Sequence, residues 1–100
     1  FADIGRRYGP FELALMPIGA YDPRWFMRSV HMDPEECVRA ATMLGTGAAL
    51  PHVLATHWGT FKLTDEPLDE PPQRMKKAWA AAGLPPDKLL ILAFGETRAL

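Results

Sequence analysis

The sequence is short of the groups from which self-contained sites are most often built. It has one cysteine, Cys37, which excludes an internal disulfide and any Cys-x-x-Cys redox or metal motif. It has almost no net charge, −1 at neutral pH, so no overall field recommends nucleic acid or an anionic membrane as partner. No apolar run approaches the roughly 20 residues of a spanning helix, and none resembles a signal peptide. There is no Gly-rich phosphate loop, no Gly-x-Ser-x-Gly, no Asp-x-Asp-x-Asp-Gly calcium loop and no internal repeat. What is present is an ordinary globular composition, 48% apolar and 23% charged over 100 residues. That length makes at most one domain, able to bury roughly 60–70% of its unfolded surface.

Phe1, Ile4 and Tyr8 are spaced like the last turns of an amphipathic helix already under way. Gly9-Pro10 then stops it, with Gly9 suited to the left-handed position after a helix. A chain that opens in this way, without Met, is expected to be a piece of a longer protein. Residues 11–18, Phe-Glu-Leu-Ala-Leu-Met-Pro-Ile, read as a central strand covered on both faces, with Pro17 marking its end. Residues 19–32 lack periodicity and are rich in rings and cations: Tyr21, Arg24, Trp25, Phe26, Arg28, His31. Two arginines beside large rings can bind an anion next to an apolar group. Equally, the rings can tuck under the loop and close the core.

Asp33-Pro34-Glu35-Glu36 is a helix start: Asp33 as cap, Pro34 in the first helical position, Glu36 where a capping-box acid belongs. The two glutamates favour the helix dipole and are therefore not read as an acid–base pair. Cys37, Val38, Ala41 and Leu44 form one packed face of a helix ended by Gly45. A small-residue connection, 45–51, leads to a buried strand at Val53-Leu54-Ala55. The strand reaches His57 and breaks at Trp58-Gly59-Thr60. His52 reads as a surface or turn residue. A strand-end imidazole such as His57 is either a satisfied structural group, a general base or a metal ligand. The polar segment 62–72, with Asp65, Glu66, Asp69 and Glu70, reads as a solvated loop. Pro72 opens a helix with the stripe Met75, Ala78, Trp79, Ala82, ended by Gly83, and residues 89–94 read as another buried strand. The order α-β-α-β-α-β implies an α/β layer.

The stretches Pro17-Ile18-Gly19-Ala20-Tyr21-Asp22-Pro23-Arg24-Trp25-Phe26-Met27, His31-Met32-Asp33-Pro34-Glu35-Glu36 and Thr56-His57-Trp58-Gly59-Thr60-Phe61 add a further clue. With Glu70-Pro71-Pro72 and Gly95-Glu96-Thr97-Arg98, they resemble the C-terminal part of a metallo-β-lactamase-fold hydrolase. Within that superfamily the chain is most similar to the N-acylphosphatidylethanolamine-hydrolysing phospholipase D group. The resemblance implies an αββα sandwich of which residues 1–100 form the second half. It also implies a two-zinc site at the rim between the sheets and hydrolysis of a phosphodiester, or a related ester or lactone, by a metal-bound hydroxide. His57 matches the last metal-ligating histidine. His31 matches a histidine near the substrate phosphate and is the catalytic candidate. Tyr21, Arg24 and Trp25 match the adjoining loop and are substrate-pocket candidates.

One departure is large. The family's His-x-His-x-Asp-His motif is absent, and its bridging Asp would lie before Phe1. One ligand cannot hold a catalytic zinc, which takes about three protein groups. This chain alone is therefore expected to be inactive and to bind no zinc tightly, and its first partner is expected to be the missing N-terminal half. The other expected partner is a small-molecule or lipid phosphodiester, with homo-oligomers through an uncovered sheet face as a further possibility. The alternative is a stand-alone α/β binding or assembly module without catalysis. A cytoplasmic or membrane-peripheral location is the expectation for either.

Overall fold

The computed structural model describes residues 1–45 and 49–100. The elements run α1 (Ala2–Tyr8), β1 (Leu13–Pro17), α2 (Arg24–Met27), α3 (Pro34–Leu44), β2 (His52–Thr56), α4 (Glu70–Ala81) and β3 (Leu89–Leu90), with a 3-10 turn at Pro86–Lys88 before β3. The strands form one parallel sheet in the order β1-β2-β3. The α/β class and the alternation are as the sequence implies, with α2 as an extra short helix in the aromatic loop.

The helix start at Asp33 is as expected. Its side chain accepts the Glu36 N–H, the Glu36 side chain accepts the Asp33 N–H, and Pro34 opens the helix. Cys37, Val38, Ala41 and Leu44 are buried from α3, and Met75 and Trp79 from α4. They pack on the sheet face formed by Met16, Val53 and Ala55. The opposite face is open: Leu15 is 62% exposed, and its register partner Leu54 is half-buried. Among the described residues β1 pairs only with β2, so it is an edge strand with one bare face, not a strand covered on both sides.

Other expectations are corrected. The stripe Phe1, Ile4, Tyr8 is exposed; α1 instead buries Gly5, where a Cβ would stand 2.6 Å from the Met43 carbonyl oxygen. The absence of a side chain is what lets α1 reach the end of α3. Gly9 is extended, not left-handed. The third strand is two residues long, and Ala93 and Phe94 are exposed. Helix α4 starts at Glu70, two residues before Pro72, and Ala82 is an exposed cap, with Gly83 taking the left-handed position. The connection at 45–51 lies partly outside the described residues. No described helix is long and apolar enough to cross a membrane.

Candidate functional site

Parallel strands send all their carboxyl ends to one edge, and the loops leaving that edge converge there. Here Pro17 of β1 lies opposite Thr56 of β2, and the Ile18 N–H donates to the Thr56 carbonyl at 3.0 Å. The two chains then leave the sheet side by side. One passes into Gly19 and Ala20, the other into His57 and Trp58. A Cβ on Gly19 would sit 2.2 Å from the His57 carbonyl oxygen, so only glycine fits this crossing. Ala20 (φ 63°) and His57 (φ 62°) both take left-handed backbone, which costs a residue with a Cβ about 1–2 kcal/mol. Such strain gathers where the fold must aim a group.

The His57 imidazole is exposed on this rim. The His31 ring lies beside it, 5.1 Å between centroids and tilted by 33°. The structure therefore brings together the two histidines singled out above, from different loops. His52 stays apart at the start of β2.

The remaining candidates are placed differently. Tyr21 has no exposed surface. Its hydroxyl bonds to Glu70, and the Arg74 guanidinium lies 4.8 Å from its ring centre. Burial first, and then the Glu70 bond, push its phenol well above the ordinary value. Tyr21 is thus packed inside the described chain and does not line the cavity described below. The donors of Arg24 are already committed: to the carbonyls of Tyr21 (3.2 Å) and His31 (3.0 Å), and to Glu36 (2.7 Å), with Asp33 at 3.5 Å. It ties the histidine-bearing loop to the start of α3. Trp25 is 86% exposed, stacks obliquely on Phe26, and does not line the cavity described next.

That cavity, about 270 Å³, opens beside His57 and is walled largely by apolar groups of residues 58–68, including Trp58, Phe61, Leu63 and Leu68. Glu66 closes one side of it and is 7% exposed. Its carboxylate accepts the N–H groups of Ala20 (2.6 Å), Tyr21 (3.2 Å) and Asp22 (3.1 Å), and the Thr64 hydroxyl (2.8 Å). Burial alone would raise its pKa, but the Thr64 hydroxyl and the backbone N–H groups outweigh that and hold it below the ordinary carboxylate value. The expectation of a solvated acid fails here. One lone glutamate before Pro67 carries no local mark of the N–H groups it will meet, because they come from a distant loop. The cavity walls Leu63 and Leu68 go unmarked in the sequence; scattered apolar residues in a polar loop are their only signal. Among the described residues no group of three or more His, Cys, Asp or Glu could hold a metal ion.

A family profile described as a beta-lactamase superfamily domain matches residues 2–58, which run from α1 to just past His57. The chain is 46% identical over 81 residues to an uncharacterized protein of Mycobacterium tuberculosis, covering 78% of this chain and 20% of that protein. It is 41% identical over 78 residues to the N-acyl-phosphatidylethanolamine-hydrolyzing phospholipase D 1 of Caenorhabditis elegans, covering 77% and 21%. It is 35% identical over 77 residues to the mitochondrial N-acyl-phosphatidylethanolamine-hydrolyzing phospholipase D of Saccharomyces cerevisiae, covering 76% and 16%. The chain thus spans about a fifth of the length of these curated relatives. With parallel strands, helices on one sheet face and two histidines at the strand-end rim, the match has a structural counterpart: the chain belongs to the beta-lactamase superfamily.

Proposed function

We propose that this chain is the part of a metal-dependent phosphodiester hydrolase that supplies His57 as a metal ligand and His31 as the group facing the substrate's phosphate. The observation that carries the reading is the pairing of these two rings at the strand-end rim, beside an apolar cavity. The donor set fits in part. An exposed imidazole can give a metal its nitrogen, yet a catalytic zinc takes about three protein ligands, more than the described residues bring together. The others would come from the remainder of a longer protein, and two zinc ions are proposed there. Metal ions so held supply Lewis-acid polarisation of a phosphoryl oxygen and activation of water. On this chain's side, His31 would donate an N–H to a phosphate oxygen, Arg24 would hold His31 in place, and the cavity would take an apolar part of the substrate. The names of the worm and yeast relatives support an acylated phospholipid as that substrate.

The bare sheet face around Leu15 supports a second part of the proposal: the partner of this chain is another sheet laid across that face. A longer protein carrying this chain together with the part preceding it would be assayed on phospholipid diesters. Chelation and His57→Ala are each expected to cost more than about 100-fold. Activity indifferent to both would overturn the reading.

A further inference from the structure

The loop that carries His31 is held at both ends through its main chain, by side chains of opposite sign. Arg24 takes carbonyl oxygens, those of Tyr21 and His31. Glu66 takes N–H groups, those of Ala20, Tyr21 and Asp22. We infer that Glu66 is a positioning residue of the site: by gripping three successive N–H groups next to Gly19, it fixes the left-handed backbone that presses on His57 and so sets the His57 ring against His31. The inference rests on the reading of those two histidines as site residues, and it goes beyond it by assigning the site's geometry to a carboxylate that touches neither ring.

Three observations support it. First, Glu66 is buried although it bears a charge, a placement that persists only where hydrogen bonds replace water; the three backbone N–H groups and the Thr64 hydroxyl do so. Second, its own segment is tied down. Lys62 Nζ donates to the carbonyls of Thr64 (2.5 Å), Asp65 (3.0 Å) and Glu66 (3.0 Å), and the Asp65 N–H donates to the Asp22 carbonyl at 3.1 Å. The carboxylate is therefore mounted on a frame, not on a free loop. Third, what it grips is what needs gripping. Ala20 is left-handed, and its neighbour Gly19 runs so close to the main chain at His57 that a Cβ there would stand 2.2 Å from the His57 carbonyl oxygen. Any relaxation of Ala20 toward ordinary backbone moves Gly19, and with it the base of the His57 side chain.

The test uses the 100-residue chain, with neither metal nor substrate present. The readout is the NMR cross-relaxation between the His31 and His57 ring protons, which their 5.1 Å separation makes observable. Protection of buried Cys37 from a thiol reagent reports that the core is intact. Glu66→Ala is expected to weaken the His31–His57 cross peak more than about threefold while Cys37 stays protected. Glu66→Gln is expected to fall between Ala and the parent: its amide oxygen keeps the Ala20 and Tyr21 N–H groups, while its NH₂ faces the Asp22 N–H. Thr64→Val removes only the hydroxyl and is expected to leave the peak near the parent's. A parent-strength cross peak in Glu66→Ala overturns the inference. Should that variant lose Cys37 protection, Glu66→Gln decides: an undiminished peak overturns, a reduced one supports. Because the peak is read without turnover, this result is separate from the hydrolysis assay. Loss of activity in His57→Ala with an unchanged Glu66→Ala peak would support the function and sink the positioning role.

Discussion

The α-carbon of Gly19 lies against the carbonyl oxygen of His57, so closely that a Cβ at position 19 would stand 2.2 Å from it. Both atoms belong to main chain leaving adjacent parallel strands, so neither can swing aside as a flexible side chain would. Gly19→Ala is therefore expected to destabilise the chain by about 3 kcal/mol, the upper end of overpacking costs. It should also displace the His57 ring resonances. Urea unfolding with NMR checks both; an unchanged midpoint would show that the two strands' exits part easily.

His57 itself occupies left-handed backbone, which glycine adopts freely and alanine does not. His57→Gly should accordingly be more stable than His57→Ala, by about 1 kcal/mol. Both variants lose the imidazole, so the comparison isolates the backbone strain at position 57. Thermal melts of the two variants side by side give the answer.

Arg24 satisfies two carbonyls and a carboxylate with one guanidinium. Lysine cannot reproduce that planar fork. Arg24→Lys is expected to cost about 2 kcal/mol, since hydrogen bonds to charged groups contribute about 1.5–3 kcal/mol each and lysine keeps some of them. The effect should appear in urea titration together with a weaker His31–His57 cross peak. A reading of Arg24 as a substrate-binding arginine predicts no such stability loss.

The Glu66 carboxyl is held below its ordinary value, so the unfolded chain takes up the proton first as pH falls. The stabilisation is complete above the ordinary glutamate range and disappears as pH drops through the lower, folded value. The parent chain should lose stability as pH falls through and below the ordinary glutamate range more steeply than Glu66→Gln, which has no carboxyl to titrate at position 66. Denaturant midpoints across that range measure the difference in slope.

Burial, and then the negative charge of Asp33, push the Cys37 thiol up to about 12. At pH 8 the folded chain should react with a thiol reagent only through opening, with a rate that climbs as urea is added. Prompt labelling in the native state would place Cys37 outside the core.

What could be read ahead of the structure followed how local the signal was. Asp33, Pro34 and Glu36 satisfy one another within one helical turn, so their spacing alone revealed the cap. Pro17 and the break at Trp58-Gly59-Thr60 mark the strand exits, and the loop motifs around His31 and His57 carry the family likeness. Direction was not legible. Tyr21 and Arg24 look like pocket residues in a ring-rich loop, but Glu70, Arg74 and Glu36 draw them inward from other elements. Residues 89–94 look like one long strand, yet after Leu90 the chain leaves β2 and the ladder stops. Glu66 shows the same limit most clearly, because a buried carboxylate is defined by its donors and all three of its backbone donors lie in loop 20–22.

The two grips on the His31 loop hold main-chain atoms at 20–22 and 31, while Trp25, Phe26 and Val30 between them are exposed. Every amino acid except proline offers the same N–H and C=O, so the frame is indifferent to which side chains those three positions carry. They form a stretch where mutation can accumulate at little cost to the histidine pair, and where the chemistry bordering the site can diversify without the site having to be rebuilt.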